Sequence, residues 1–130
     1  MRIAVLCATR RGVRFVERLS QLAPDAELAI FSFREESWEP PFFDDLEQLA
    51  GSLGARFIAA RSLGHSDHAA LWKDLEFDLM FVVSWRYMIP ARIYQRTRLG
   101  AYLFHDSLLP AYRGFAPTVW ASSTESFRRE

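Results

Sequence analysis

His105 closes a short apolar run, Ala101-Tyr102-Leu103-Phe104, and opens the turn Asp106-Ser107-Leu108-Leu109-Pro110. A histidine held where a strand meets a loop could polarise a carbonyl or steady a transition-state oxyanion, because imidazole titrates near neutral pH. The strand fixes the ring and the loop leaves it accessible. Tyr112, Arg113 and Gly114 follow in a basic, glycine-containing loop that could meet a substrate. A lone histidine at a strand end is more often structural, and a loop arginine is often merely solvated. Residues Trp85, Arg86, Tyr87, Met88 and Ile89 form a second group. Aromatic and apolar side chains in a loop suit a flat, hydrogen-bonding heterocycle, or they simply cover the end of a sheet. His65 and His68 stand three apart, a spacing that can serve a metal on one helical face. No cysteine or carboxylate set completes a site, so they read as a surface pair at a helix start, and no metal is expected.

The elements that position these residues follow from the apolar pattern. Ile3 to Cys7 is a continuous apolar run, the mark of a strand covered on both faces. Phe15, Val16, Leu19 and Leu22 recur at helical spacing up to Pro24. Leu28–Phe31 reads as a second strand and 32–41 as a polar loop ending in Pro40-Pro41. Phe42 to Leu53 predicts a helix stopped by Gly54, and Arg56–Ala59 a third short strand. Ser66 or Asp67 can cap a helix to about Leu75. Phe77–Val83 is the strongest central strand, 84–90 a loop, Pro90 to Gln95 a short helix and Ala101–Phe104 another buried strand. Strands alternating with helices predict an α/β fold with a mostly parallel sheet flanked by helices.

Bulk composition narrows the class. The 130 residues suffice for one domain and half are apolar. Sixteen basic and sixteen acidic residues cancel, so no global field favours nucleic acid, membrane or an anionic substrate. One cysteine excludes an internal disulfide framework and fits a reducing cytoplasm. The N-terminal apolar run is too short for a signal sequence or a membrane span, so a soluble cytoplasmic protein is expected. The turn Thr9-Arg10-Arg11-Gly12 has one glycine where a dinucleotide fingerprint needs three, which leaves NAD binding unsupported. Arg10 and Arg11 could meet an anion at a helix start or lie solvated.

The stretch from Gly100 to Trp120 resembles the signature of the 10-formyltetrahydrofolate-dependent formyltransferases, the group that includes methionyl-tRNA formyltransferase and the sugar N-formyltransferases. His105, Ser107-Leu108-Leu109-Pro110, Arg113-Gly114 and Ala116-Pro117 fall in register with it. Upstream, Met1–Cys7 resembles the family's first strand, and Phe77–Val83 with Met88-Ile89-Pro90 the strand and loop beside the folate. The resemblance implies a Rossmann-type domain, 10-formyltetrahydrofolate as formyl donor and an amine acceptor, a tRNA or a nucleotide sugar. It implies His105 as the catalytic histidine, Trp85, Arg86, Tyr87, Met88 and Ile89 around the pterin, and Ser107, Tyr112, Arg113 and Gly114 near the acceptor.

Two departures bear on activity. The family asparagine belongs two positions before the histidine, where this chain has Leu103. Leucine cannot donate to an oxyanion, and loss of one such donor typically costs roughly 10²–10³ in rate. The family aspartate lies beyond Glu130, and Asp106, adjacent to His105 on a strand, would point the other way.

Residues 1–120 thus read as the front part of a formyltransferase catalytic domain, and 121–130 as a tail foreign to it. The tail Ser122-Ser123-Thr124-Glu125-Ser126-Phe127-Arg128-Arg129-Glu130 can be back-translated with codons that, shifted by one base, with one base supplied in front and the stop codon completing the valine, spell Leu-Ile-Asn-Gly-Glu-Leu-Pro-Thr-Gly-Val, the family continuation. A frameshift is therefore the favoured reading over an evolved terminus. A chain so shortened is expected to expose a sheet edge, to self-associate and to turn over little; a non-catalytic remnant that binds folate or a partner chain is the alternative.

Overall fold

The computed structural model describes residues 1–61, 63, 76–106, 109, 113 and 114. Five strands make one parallel sheet: β1 (Arg2–Cys7), β2 (Glu27–Ser32), β3 (Arg56–Ala59), β4 (Leu79–Val83) and β5 (Ala101–Phe104), in the order β3-β2-β1-β4-β5. The helices are α1 (Thr9–Leu22), α2 (Phe43–Ser52) and α3 (Ala91–Tyr94). The α/β class, the parallel sheet and the order of the described elements are as the sequence predicts. The helix expected at 66–75, with His65 and His68, lies outside the described residues.

The continuous apolar run of β1 is covered on both sides, as its pattern requires. Ile3, Val5 and Cys7 face α1 and α2 together with Val13, Val16, Leu28, Ile30 and Leu46. Ala4 and Leu6 face the opposite layer with Ala29, Phe31, Met80, Val82 and Ile93. Two differences from the sequence pattern have local causes. Helix α1 begins at Thr9 rather than after Gly12, and Gly12 packs onto the strand it has just left. A Cβ there would stand 3.0 Å from the Cys7 Cβ, so only glycine allows this approach without displacement. Leu22, read as part of the buried face, is the last residue of α1 and is exposed.

Asp78 ties together the end of the sheet opposite the loops that matter. Its carboxylate accepts from the Arg2 amide at 2.8 Å and from Arg98 Nε at 2.8 Å, while its own amide donates to the Arg2 carbonyl. The Arg2 amide, then the Arg98 guanidinium, hold this carboxyl below its ordinary range. Strand β4 consequently starts at Leu79, two residues later than its apolar run begins.

The correction of most consequence concerns β5. The sequence predicts a buried strand, yet all four of its residues are exposed, Leu103 to 58%. The cause is position: among the described residues β5 pairs only with β4 and is the last strand of the sheet. The exposed edge expected from the sequence is thus present in the described residues. Among those residues, no helix is long and apolar enough to cross a membrane.

Candidate functional site

The chain leaves β1 toward β2 and β3 on one side, and returns to β4 and β5 on the other. Strand order therefore reverses between β1 and β4, and a parallel sheet leaves a crevice outside the carboxyl ends of its strands at such a point. The backbone is strained on both sides of it. Thr9 follows β1 with φ 63° and Ser84 follows β4 with φ 55°, in the left-handed region that non-glycine residues rarely adopt. Ala8 donates to the Val83 carbonyl at 3.1 Å, locking the two turns together. Such strain clusters at functional sites.

Three adjoining hollows open here. A cleft of about 640 Å³ is lined by Ser84, Trp85, Arg86, Tyr87 and Met88 from the loop after β4, by Leu103, Phe104, His105 and Asp106 at the end of β5, and by Gly114, Arg11, Trp38 and Glu39. An apolar slot of about 310 Å³ lies on the α3 side, with Met80 and Val82 as floor, Trp85, Tyr87, Met88 and Ile89 above, and Ala101, Tyr102 and Leu103 along β5. A shallower recess of about 360 Å³ sits over Thr9, Arg10 and Ser84. Leu103 and the Trp85–Met88 loop stand between cleft and slot.

His105 is half-buried just past β5, and its Nε2 lies 3.3 Å from the Gly114 carbonyl oxygen. That contact joins the histidine to the basic loop that follows it. Because β5 ends at Phe104, strand alternation no longer governs the next two residues. Asp106 therefore lines the same cleft as His105 instead of pointing away. Its carboxylate is engaged by Arg11 at 2.6 Å, which brings the start of α1 to the end of β5. Arg10 pairs with Asp45, so the arginines at the first turn have carboxylate partners. Both pairs are largely exposed and contribute little stability.

The loop after β4 is set by an aromatic cluster. Phe33, buried at the end of β2, meets Trp85 edge-on at 5.2 Å and Tyr87 at 4.9 Å, and the Arg86 guanidinium lies 4.8 Å over its ring. Edge-to-face packing of this kind favours one ring arrangement over others. Trp85 and Tyr87 thus cover the sheet end and also line the slot. The Trp85 Nε1 donor is buried and has no acceptor among the described residues. Cys7, by contrast, is not available for chemistry: burial pushes its thiol up to about 12.

The structure therefore brings His105, Gly114, Trp85, Arg86, Tyr87 and Met88 around one cleft, with Ile89 in the adjoining slot. Arg113 is exposed beside Gly114 and lines none of these hollows; Ser107 and Tyr112 lie outside the described residues. Among those residues, no group of three or more His, Cys, Asp or Glu could hold a metal ion. Trp38 and Glu39 are cleft residues that the sequence reading passed over, and Arg11, read there as an anion contact or a solvated arginine, joins them. A tryptophan in a polar loop next to two prolines was the available signal.

Comparison with known proteins places this crevice in context. The formyl transferase family model matches residues 15–124. The fold is similar to the crystal structure of a phosphoribosylglycinamide formyltransferase from Anaplasma phagocytophilum, with a TM-score of 0.67 at 16% identity. The match covers 95% of this chain and 58% of that one, so the chain spans little more than half the length of the solved protein.

Proposed function

Because the chain belongs to the formyl transferase family, we propose that it carries the front part of a catalytic domain that moves a formyl group from 10-formyltetrahydrofolate to an amine. The observation that carries this reading is the meeting of His105 with the Trp85–Met88 loop around one cleft at the carboxyl ends of β4 and β5. Residues 1–120 are the formyltransferase part on this reading and 121–130 the foreign tail. The acceptor is an amine of the methionyl-tRNA or amino-sugar type, and the protein works in the cytoplasm.

The slot fits the donor's flat heterocycle. Met80, Val82 and Leu103 offer apolar faces, with the Trp85 and Tyr87 rings beside them. Trp85, Tyr87, Met88 and Ile89 line that slot, and Arg86 braces their loop against Phe33. When bound, the donor supplies an activated formyl carbon for attack by the amine. His105, in its doubly protonated form, then directs Nδ1–H at the negative charge growing on the formyl oxygen while its Nε2–H donates to the Gly114 carbonyl, and tetrahydrofolate leaves through N10, which takes up the proton the amine gives up. Ser107, Tyr112, Arg113 and Gly114 are assigned to the acceptor side.

Calorimetric titration with 5-formyltetrahydrofolate tests the reading. Binding is expected, and Ala101→Trp, which fills the slot from exposed β5, should abolish it. No binding by the parent chain, or equal binding by the variant, would overturn the slot assignment. The second reading, a remnant that binds without turnover, is favoured by Leu103 in place of the donor. Release of tetrahydrofolate from 10-formyltetrahydrofolate in the presence of an amine separates the two: binding with no release supports the remnant.

A further inference from the structure

Residues 33–42, between β2 and α2, build a wall of the cleft that the donor slot does not use. Both ends of this segment are anchored: Phe33 and Phe42 are 2% and 1% exposed, and their rings meet edge-on at 5.8 Å. Between them the chain is tied to itself. Glu35 Oε2 accepts from the amides of Phe42 (3.3 Å) and Phe43 (2.9 Å). The Glu36 amide donates to Glu39 Oε2 at 2.7 Å, and the Glu39 amide donates back to the Glu36 carbonyl at 3.0 Å. Glu39 Oε1 accepts from Arg86, across to the loop after β4, and both side chains of that pair are largely buried. A short segment with joined ends and internal bonds is an Ω-loop, a rigid presentation device.

What it presents is Trp38. This side chain is 80% exposed, while Glu36 and Glu39 around it are bonded down. A tryptophan held open on a braced loop leaves a large flat face without a partner. It lies on the cleft that contains His105 and not on the apolar slot. A planar group stacked on Trp38 would therefore belong to the molecule approaching His105 from the side opposite the donor.

We propose that Trp38 is a stacking platform for a nucleobase carried by the amine acceptor, held in place by the Glu39–Arg86 pair. The assignment of acceptor rests on the function proposed above. A nucleobase is the planar group shared by a charged tRNA end and a nucleotide sugar, and base stacking on an aromatic side chain tolerates either.

Tryptophan fluorescence of the full chain tests it, with UDP-glucosamine and the trinucleotide CCA as probes and glucosamine 6-phosphate as the ring-free control. Saturable quenching by at least one nucleobase probe and none by the control is expected; which probe quenches more tightly tells the two sources apart. Trp38→Ala should remove most of the quenching and weaken binding roughly ten-fold, while Trp38→Phe keeps most of the affinity. The site is exposed, so an unchanged thermal melt confirms that both variants fold. Equal quenching by the ring-free control, no quenching by either nucleobase probe, or undiminished binding by Trp38→Ala would overturn the proposal. Nucleobase binding without folate binding sinks the formyl-transfer reading and leaves the platform; folate binding with no effect at Trp38 does the reverse.

Discussion

For the formyl transfer proposed above, Leu103 is the residue that matters most. Its side chain lies between the apolar slot and the His105 cleft, and it is 58% exposed. It lines the same cleft as His105, two residues on. A hydrogen-bond donor here would aim at the same developing charge as His105, whereas leucine offers only apolar surface. Leu103→Asn is therefore expected to speed tetrahydrofolate release from 10-formyltetrahydrofolate by roughly 10²-fold. The open position means the new amide is not stranded without water, so the fold should tolerate it. A quenched-flow comparison of the two chains checks this, and an unchanged rate would show that the histidine cleft is not where the charge develops.

At the scale of elements, the Ω-loop and the loop after β4 act as one unit because Arg86 and Glu39 join them. The Arg86 bond, then the Glu36 amide, keep the Glu39 carboxyl below its ordinary 4.5. For Glu35, partial burial pushes the other way, but the amides of Phe43 and Phe42 outweigh it and its carboxyl is also lowered. A carboxyl depressed in the folded state stabilises it above the ordinary value, and that contribution is lost as pH falls through the folded one. The two loops should therefore loosen as pH falls below the ordinary carboxylate range, and the Asp78 tie at the opposite end of the sheet, whose carboxyl is lowered too, weakens over the same range. Aromatic near-ultraviolet dichroism followed from pH 7 to 3 reads this directly. Glu39→Gln should lower the neutral-pH signal and flatten its acid limb; an identical acid limb in the variant would remove the ion pair from the account.

For the whole molecule, the open flank of the sheet dominates. Tyr102, Leu103 and Phe104 on β5 are each more than half exposed, and Met88, Tyr94 and Leu99 extend the apolar surface around the slot. Among the described residues, β5 has no second neighbour, no proline and no charge to discourage pairing. Strand edges of this kind associate, and large apolar patches mark contact surfaces. Self-association of the 130-residue chain is expected, rising with concentration and reduced by Leu103→Lys. Light scattering coupled to gel filtration checks it. A monodisperse monomer that melts cooperatively across the concentration range would contradict it.

Much of this was legible in the residues themselves. Alternating apolar runs and helical spacings predict α/β order because period and length are local properties of the chain. The string from His105 through Pro110 to Arg113-Gly114 pointed to the formyl transferase family for the same reason, since its residues share one short segment. What the residues could not declare depends on neighbours distant in sequence. Ala101–Phe104 has the composition of a buried strand, but burial needs a layer on each side, and the sheet order leaves β5 at the edge. Trp38, Glu39 and Arg11 become part of the His105 cleft only because strand order reverses between β1 and β4. That reversal brings the ends of β1, β2, β4 and β5 together, and pairing across the sheet decides it.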